Sequence, residues 1–246
     1  MSLFQAPPPT SLDVRFRILG IDVTIHPLFW LIALLFGAQS GNIVNIVSWV
    51  VVIFVSILVH ELGHSMAMRY YGQDSRIVLH GFGGLAIPTS SLGYGYDQRS
   101  SWQQIFISFA GPLAGFLLAA LTVVVVLAVG GRAGVGWILW IIPIPTAALP
   151  VQYAAANFLV RAILWVNTFW GLINLLPVFP LDGGRISREL FILFGRHRQV
   201  ENSLWLSVIT GIAIAVASIA YLDSFFMAIL FGLLAFQSYQ ALQRGF

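Results

Sequence analysis

Long apolar runs with few polar interruptions dominate the hydrophobic pattern of this chain. A helix needs roughly 20 apolar residues to cross the ~30 Å hydrocarbon core of a bilayer. The last run is long enough for two helices, with Asp223 near its middle as the turn. The apolar runs cover residues 25–39, 43–70, 102–129, 153–176 and 203–239. We therefore predict an all-α polytopic membrane protein with about six transmembrane helices.

The composition supports a membrane protein and excludes several other classes. Hydrophobic residues make up 59% of the 246 residues and charged residues only 9%, whereas soluble domains carry about 25% charged residues. The lipid bilayer must therefore cover the apolar excess. All twelve basic residues are scattered arginines, so we expect no nucleic-acid partner. The chain has no cysteine, and any metal site must use His, Asp or Glu.

The positions of the arginines predict the orientation in the membrane. Positive residues accumulate in cytoplasmic loops, and ten of the twelve arginines fall there when both termini are cytoplasmic. These ten are Arg15, Arg17, Arg69, Arg76, Arg99, Arg185, Arg188, Arg196, Arg198 and Arg244. Residues 135–152 are apolar but contain three prolines, so we interpret them as interfacial or re-entrant. The short loops and the lack of a signal peptide favour a bacterial inner membrane.

A metal-binding motif lies at the cytoplasmic end of the second predicted span. The sequence His60-Glu61-Leu62-Gly63-His64 matches H-E-x-x-H. On a helix, residues i and i+4 share a face, so both imidazoles reach one ion while Glu61 can contact a water on it. Ionisable side chains beside an apolar run are costly unless they bind an ion or face a water-filled cavity. The motif therefore predicts a zinc hydrolase.

A zinc site needs a third protein ligand besides the two histidines. Asp182 follows the fourth predicted span, on the same side of the membrane as the motif. Pro177 and Pro180 end that helix and allow a loop to carry the carboxylate inward. Glu189 and Glu201 lie in an arginine-rich stretch, where solvated ion pairs are the ordinary interpretation. Asp182 is therefore the favoured third ligand.

The two motifs together resemble the site-2 protease family of intramembrane zinc metalloproteases. The resemblance rests on H-E-L-G-H at 60–64 and on N-x-x-P-x-x-x-L-D-G from Asn174 to Gly183, each at the end of a hydrophobic span. It covers roughly residues 20–190. The roles it implies are zinc binding by His60, His64 and Asp182, base catalysis by Glu61, and a place near the cleft for Asn174, where it stabilises the reaction or holds substrate.

The resemblance also sets the expected domain organisation. We expect a single intramembrane metalloprotease domain over residues 1–246, with a core at about 43–190 and no PDZ or CBS domain. Residues 25–39 and 203–239 are expected to be accessory helices. The stretch Ala110-Gly111-Pro112-Leu113-Ala114-Gly115 is similar to the family's third-helix motif, although many members carry Asn at the position of Gly115.

The loop from Gln73 to Ser91 predicts a membrane-associated β-hairpin near the active site. Arg76–His80 and Leu85–Pro88 have the pattern of short strands around a glycine-rich turn. Similar segments in the family dip towards the membrane beside the active site, whereas the alternative is an ordinary cytoplasmic hairpin. An edge strand can hold an unwound substrate by β-augmentation. The predicted substrate contacts are Leu85, Ile87 and Pro177.

These features predict hydrolysis of a peptide bond in or near the transmembrane segment of a membrane-tethered regulatory protein, with Zn²⁺ as the cofactor. The resemblance implies a single-span membrane protein as the substrate, such as an anti-sigma or pro-sigma factor. The sequence neither predicts nor excludes a homo-oligomer. One alternative is a membrane zinc protease of the prenyl-protein type, with Glu189 or Glu201 as third ligand. Another is a metal transporter. A transporter would need several polar residues along the path of the ion, and the outer halves of the spans offer almost none.

Overall fold

A computed structural model describes residues 7–81, 83–89, 100–138 and 142–244. Within them the helices are α1 (Pro27–Gly37), α2 (Ile43–Tyr70), α3 (Ser101–Ala128), α4 (Asn157–Asn174), α5 (Asp182–Phe194), α6 (Gln199–Leu222) and α7 (Phe225–Gln243). The strands are β1 (Val14–Ile18), β2 (Ile21–Ile25), β3 (Ser75–His80), β4 (Gly83–Pro88), β5 (Arg132–Ile138) and β6 (Ile142–Ala148). Ser91 and Arg99, which entered the sequence predictions, lie outside the described residues.

The chain forms two compact units. The first contains Met1–Gly93 and Ala110–Leu172, and the second contains Tyr94–Phe109 and Ile173–Phe246.

Four helices are long and apolar enough to cross a membrane: α2, α3, α6 and α7. The prediction of a mostly helical membrane protein is confirmed. As predicted, the last apolar run is split at Asp223, which ends α6 with a positive φ of 47°, and Ser224 caps α7 by accepting the Met227 N–H. α4 has 18 residues, slightly fewer than the roughly 20 that a span needs. The count of six spans stays a prediction.

The first predicted span, residues 25–39, is not one continuous helix. Ile25 is the last residue of β2, and His26 caps α1 by accepting the Leu28 N–H at its Nδ1 at 3.2 Å. Pro27 begins the helix, where its missing N–H costs nothing. α1 has 11 residues, which at ~1.5 Å per residue is about half the hydrocarbon thickness.

The first unit contains a four-stranded sheet in the order β1-β2-β3-β4. β1 and β2 form an antiparallel hairpin, β2 runs parallel to β3, and β3 pairs antiparallel with β4. The first hairpin turns at Leu19 and Gly20, whose positive φ angles of 50° and 78° suit the twist of the strands. The all-α prediction missed β1 and β2, although their alternating sequences VRFRI and IDVTI are typical of half-buried strands.

The sheet packs against the part of α2 that carries the H-E-x-x-H motif. Apolar side chains of β2 and β3 contact side chains of α1 and α2. Burying each of them stabilises the fold by about 1.5–3 kcal/mol. The buried members of this core are Ile21, Val23, Ile25, Phe29, Ile57, Leu58, Ile77 and Leu79. The hairpin of β3 and β4 is thereby fixed beside the motif.

The described residues between 132 and 148 lie in two strands, not in a membrane-length helix. β5 and β6 pair antiparallel from Arg132 with Ala148 to Ile138 with Ile142. Pro143 and Pro145 lie in β6, where a two-stranded sheet offers an open edge that needs no N–H donor. Residues 139–141, within the predicted interfacial segment, are outside the described residues.

Candidate metal centre

Helix α2 places both histidines of the motif on one face. His60, Glu61 and His64 are all buried, and the Nε2 atoms of the two imidazoles lie 3.2 Å apart. Zn–N distances of about 2.0–2.1 Å in a tetrahedral site put two donors roughly 3.3 Å apart. The two rings are therefore spaced to bind one zinc ion.

Asp182 brings a carboxylate to the same place. It is buried and lies in the first turn of α5, where the helix dipole favours a negative charge. One ligand atom from each of His60, His64 and Asp182 lies within 4.8 Å of the other two. Two imidazoles and a carboxylate are a typical donor set for a hydrolytic zinc, with the fourth position left for water.

Gly111 of α3 leaves space at the nitrogen atoms of both histidines. A Cβ at this position would collide with His64 Nε2 and would lie 2.8 Å from His60 Nε2. Only glycine therefore keeps this side of the imidazole pair open to an ion. The sequence interpretation noted the A-G-P-L-A-G stretch but missed the role of Gly111, and the glycine-proline pair within an apolar span was the available signal.

Gly63, inside the motif, allows α2 and α3 to approach closely. A Cβ on Gly63 would collide with the carbonyl oxygen of Ala110 and would lie 2.9 Å from the Ala114 Cβ. The small residue thus sets the distance between the two backbones. This close approach is what brings Gly111 over the histidines.

Gly84, on β4, lies against the carboxylate of Glu61. A Cβ on Gly84 would be 2.6 Å from Glu61 Oε1 and would overlap the Glu61 side chain. The carboxylate therefore occupies space that any other residue at position 84 would take. This contact places the predicted hairpin next to the predicted catalytic base.

The register of the hairpin shows which backbone groups of β4 face its open edge. Thr89 donates its N–H to the Asp74 carbonyl at 2.9 Å, and these two residues continue the register of β3 and β4. Hydrogen-bonded pairs alternate along an antiparallel ladder, so residues 83, 85 and 87 bond to β3. The N–H groups of Gly84 and Ala86 then point away from β3, towards the side where the described sheet ends.

The roles of the other predicted site residues stay predictions. Leu85 and Ile87 are half-buried and share the face of β4 opposite to Gly84. Asn174 is buried at the last residue of α4, and Pro177 is half-buried in the turn that follows. In β3, burial lowers the pKa of His80, with a smaller contribution from the charge of His26.

A second polar contact lies one helical turn before His60. Asn167 of α4 donates from its Nδ2 to the Ser56 hydroxyl at 2.9 Å and to the Ile163 carbonyl at 2.8 Å. Gly115 lies against the same asparagine, because a Cβ there would be 3.5 Å from Asn167 Oδ1. An asparagine from α4 therefore borders the position at which many family members are expected to carry one. The sequence interpretation missed Asn167.

Comparison with known proteins decides the family. The family model described as Peptidase family M50 matches residues 48–148 and 138–218, which include both histidines and Asp182. The chain belongs to Peptidase family M50. Its resemblance to the site-2 proteases is thereby confirmed, and this M50 member has the apolar helices of an integral membrane protein.

Two curated relatives of this M50 member are named as a zinc metalloprotease and a putative zinc metalloprotease, and a third is named as a sporulation protein. Zinc metalloprotease MJ0392 of Methanocaldococcus jannaschii is 29% identical over 180 residues, which are 71% of this chain and 44% of that protein. Putative zinc metalloprotease Rip3 of Mycobacterium tuberculosis is 28% identical, over 74% of this chain and 43% of the relative. Stage IV sporulation protein FB of Bacillus subtilis is 24% identical, over 78% and 54%. The chain thus spans about half the length of these relatives.

A solved structure shares the fold. The site-2 protease from Methanocaldococcus jannaschii aligns with a TM-score of 0.52 and 24% sequence identity, over 94% of both chains.

Proposed function

We propose that this M50 member is an intramembrane zinc endopeptidase that cleaves a peptide bond in or near the transmembrane segment of a membrane-tethered protein. The observation that carries the proposal is the buried cluster of two imidazoles and one carboxylate, with Glu61 on the same helix as the histidines. A structural role explains such a group poorly, because buried ionisable residues are costly in a membrane unless they bind something.

His60, His64 and Asp182 would hold the zinc ion. The donor set fits, since the Nε2 atoms are 3.2 Å apart and Gly111 keeps their outer side open. When bound there, zinc supplies a Lewis acid that lowers the pKa of water to about 7 and polarises a carbonyl group.

Glu61 would act as the general base and then as the general acid. Its carboxylate accepts a proton from the attacking water while the remaining hydroxide adds to the scissile carbonyl carbon. When the C–N bond breaks, Glu61 returns that proton to the leaving amine nitrogen. Because Gly84 restricts the space around the carboxylate, Glu61 is held in a narrow range of positions.

Asn174 would complete the site. A carboxamide is an uncharged donor that can stabilise the negative charge developing on the carbonyl oxygen, and removing one such donor typically costs about 10²–10³ in turnover. Asn174 is buried at the end of the helix that precedes Asp182. Pro177, between the two residues, is proposed to contact the substrate.

The substrate would be held as an extended strand beside β4. A helical substrate protects its own carbonyl groups, so the target helix must unwind before hydrolysis. The outward N–H groups of Gly84 and Ala86 can pair with the unwound segment by β-augmentation. The side chains of Leu85 and Ile87 would contribute apolar contacts. A single-span regulator such as an anti-sigma or pro-sigma factor is the substrate class that we propose.

The orientation is also proposed from the arginine distribution. Both termini and the active site would face the cytoplasm of a bacterial inner membrane. Six spans then require α4 to cross and the short α1 to cross with local thinning of the bilayer. Cysteines at the exposed Asp74 and Arg185 should be labelled by a membrane-impermeant reagent from the cytoplasmic side, and a cysteine at Gly134 from outside. The reverse labelling pattern would reject this orientation.

The rival functions receive less support. In a protease of the prenyl-protein type, Glu189 or Glu201 would be the third ligand, but Glu201 forms an exposed ion pair with Arg198 at 3.3 Å. Asp182, by contrast, lies within 4.8 Å of both histidines. A metal transporter has no support from the M50 match.

The test is co-expression with a panel of epitope-tagged single-span regulators, analysed by immunoblot. The wild type should release a shorter fragment from at least one regulator, and Glu61→Gln should release none. Glu189→Gln is the matched control, because it makes the same chemical change on α5, and it should cleave normally. Cleavage by Glu61→Gln at the wild-type rate would reject the proposed mechanism.

A further inference from the structure

One peptide unit in the loop before Asp182 is held by two serine side chains from distant helices. Phe179 donates its N–H to the Ser207 hydroxyl of α6 at 3.1 Å, although the two residues are 28 positions apart. The Phe179 carbonyl accepts a hydrogen bond from the Ser238 hydroxyl of α7 at 3.3 Å, across 59 positions. Both serines are almost completely buried. Two hydroxyl groups thus bind both polar groups of the Phe179 backbone.

The position of Phe179 is coupled to the start of α5. Leu181, which precedes Asp182, donates its N–H to the Val178 carbonyl at 2.9 Å. A Cβ on Gly184 would collide with the backbone of Val178 and Phe179, so the first turn of α5 packs directly on this peptide. A shift of Phe179 therefore moves the turn that carries the Asp182 carboxylate.

The two serines come from a firmly packed helix pair. A Cβ on Gly211 of α6 would lie 3.0 Å from the Ala235 Cβ of α7, and these residues are about one turn from Ser207 and Ser238. Each hydroxyl also donates to its own helix, to the Ser203 carbonyl at 2.9 Å and to the Leu234 carbonyl at 3.0 Å. The hydroxyl positions are therefore set by the helices before the loop binds to them.

We infer that Ser207 and Ser238 are positioning residues for Asp182: they hold the Phe179 peptide so that the carboxylate stays at the metal. This inference rests on the proposed function, because it requires Asp182 to be a zinc ligand. It gives α6 and α7 a role in the metal centre although His60, His64 and Asp182 all lie on other helices. Partners that orient a metal ligand typically contribute about 10–100-fold to metal affinity.

The expected effects differ between the two serines. Ser207→Ala leaves the partly buried Phe179 N–H without its acceptor, and a donor that loses its partner away from bulk water is costly. We expect roughly tenfold weaker zinc binding. Ser238 shares its single hydroxyl proton between Phe179 and its own helix, so Ser238→Ala should weaken zinc binding less. Excess zinc should restore cleavage in both variants, because Glu61 and the histidines are unchanged.

The experiment is zinc competition between the purified full-length protein in detergent and a chelating dye. The matched control is Ser218→Ala, because Ser218 is equally buried on α6 and its hydroxyl bonds to the Ile214 carbonyl of its own helix. That variant should bind zinc like the wild type. Ser207→Thr keeps a hydroxyl group and should recover most of the affinity. It also gives a result if the alanine variant does not fold.

Asp182→Ala, measured in parallel, separates the two proposals. If Asp182→Ala loses zinc while Ser207→Ala, Ser238→Ala and the double variant bind it as tightly as the wild type, the positioning role is wrong and the metal site stands. Equal weakening in Ser218→Ala and Ser207→Ala, or in Ser207→Thr and Ser207→Ala, also rejects the positioning role. If Asp182→Ala binds zinc normally, Asp182 is not a zinc ligand. The proposed function is then wrong in its ligand assignment, whatever the serine variants show.

Discussion

The two histidines and Asp182 are brought to the candidate metal centre by different kinds of structure. His60 and His64 are fixed by the periodicity of one long helix, and glycines at positions 63, 84 and 111 shape the space around that helix. Asp182 depends on an irregular loop between α4 and α5, which hydroxyl groups from α6 and α7 hold in place.

This difference shows where each part of the site is specified in the sequence. Helical spacing is local, so five consecutive residues determine how the imidazoles face each other. The loop has few internal constraints, and the residues that hold it lie 28 and 59 positions further along the chain. Substitutions around α2 should therefore remove binding or chemistry outright, whereas substitutions that loosen the loop should weaken zinc binding by degrees.

Among substitutions outside the proposed zinc ligands and Glu61, Gly111→Ala should have the largest effect. The added methyl group collides with the Nε2 atoms of both histidines, which are the proposed zinc donors, so zinc binding and cleavage should both be lost. Zinc content of the purified protein and cleavage of a co-expressed substrate measure this. Gly115→Ala is the control on the same helix, because its nearest neighbours are at 3.5 Å and it should keep both properties. Normal zinc in Gly111→Ala would mean that the ion does not lie where the two Nε2 atoms converge.

Gly84→Ala should separate chemistry from metal binding. Its methyl group displaces the Glu61 carboxylate, so cleavage should fall about 10²-fold or more, the usual contribution of a general acid–base group. Zinc content should stay at the wild-type level. Gly81→Ala, at the turn of the same hairpin, would meet the flexible Ile32 side chain at 3.2 Å and should cleave nearly normally. Equal activities in the two variants would contradict a restricted Glu61.

Ala86→Pro should reduce cleavage roughly tenfold, because it removes one outward-facing N–H that would pair with the substrate. The bonds between β3 and β4 are kept, so zinc content and thermal stability should change little. Leu85→Pro and Ile87→Pro break those inner bonds and should lower the thermal midpoint. Ala86→Val keeps the N–H and serves as the control. If Ala86→Pro cleaves like Ala86→Val, the edge of β4 does not hold the substrate.

The smallest effect concerns His80, which lies in the hairpin but is not one of the predicted metal ligands. Its pKa is lowered by burial, so the folded state binds its proton less readily than the unfolded state does. The stability from neutral His80 is complete above the unfolded pKa of about 6.5 and is lost as pH falls below it towards the lower folded pKa. The thermal midpoint should therefore drop by a few degrees on acidification from pH 8. His80→Asn should flatten this dependence.

Local patterns made much of the site predictable. The H-E-x-x-H spacing, the carboxylate after a proline-interrupted helix end, and the strands around a glycine-rich turn all appear in the structure as short-range features. The match to Peptidase family M50 confirms the family resemblance.

Long-range contacts explain most of what the sequence did not predict. β1 and β2 form a stable sheet only because β2 pairs with β3, more than 50 residues later. The close contact of Gly111 with the histidines depends on how α3 packs against Gly63. Hydropathy alone predicted residues 25–39 as one element, because an apolar strand end and a short apolar helix together give one continuous run.

The most direct test of the account is the zinc content of purified variants, measured side by side by elemental analysis. We predict about one zinc per chain in the wild type, in Glu61→Gln and in Glu189→Ala, and a loss of zinc in His60→Ala, His64→Ala and Asp182→Ala. This pattern would make Asp182 the third ligand and Glu61 a base that does not bind the ion. Full zinc occupancy in Asp182→Ala, or its loss in Glu189→Ala, would contradict the account.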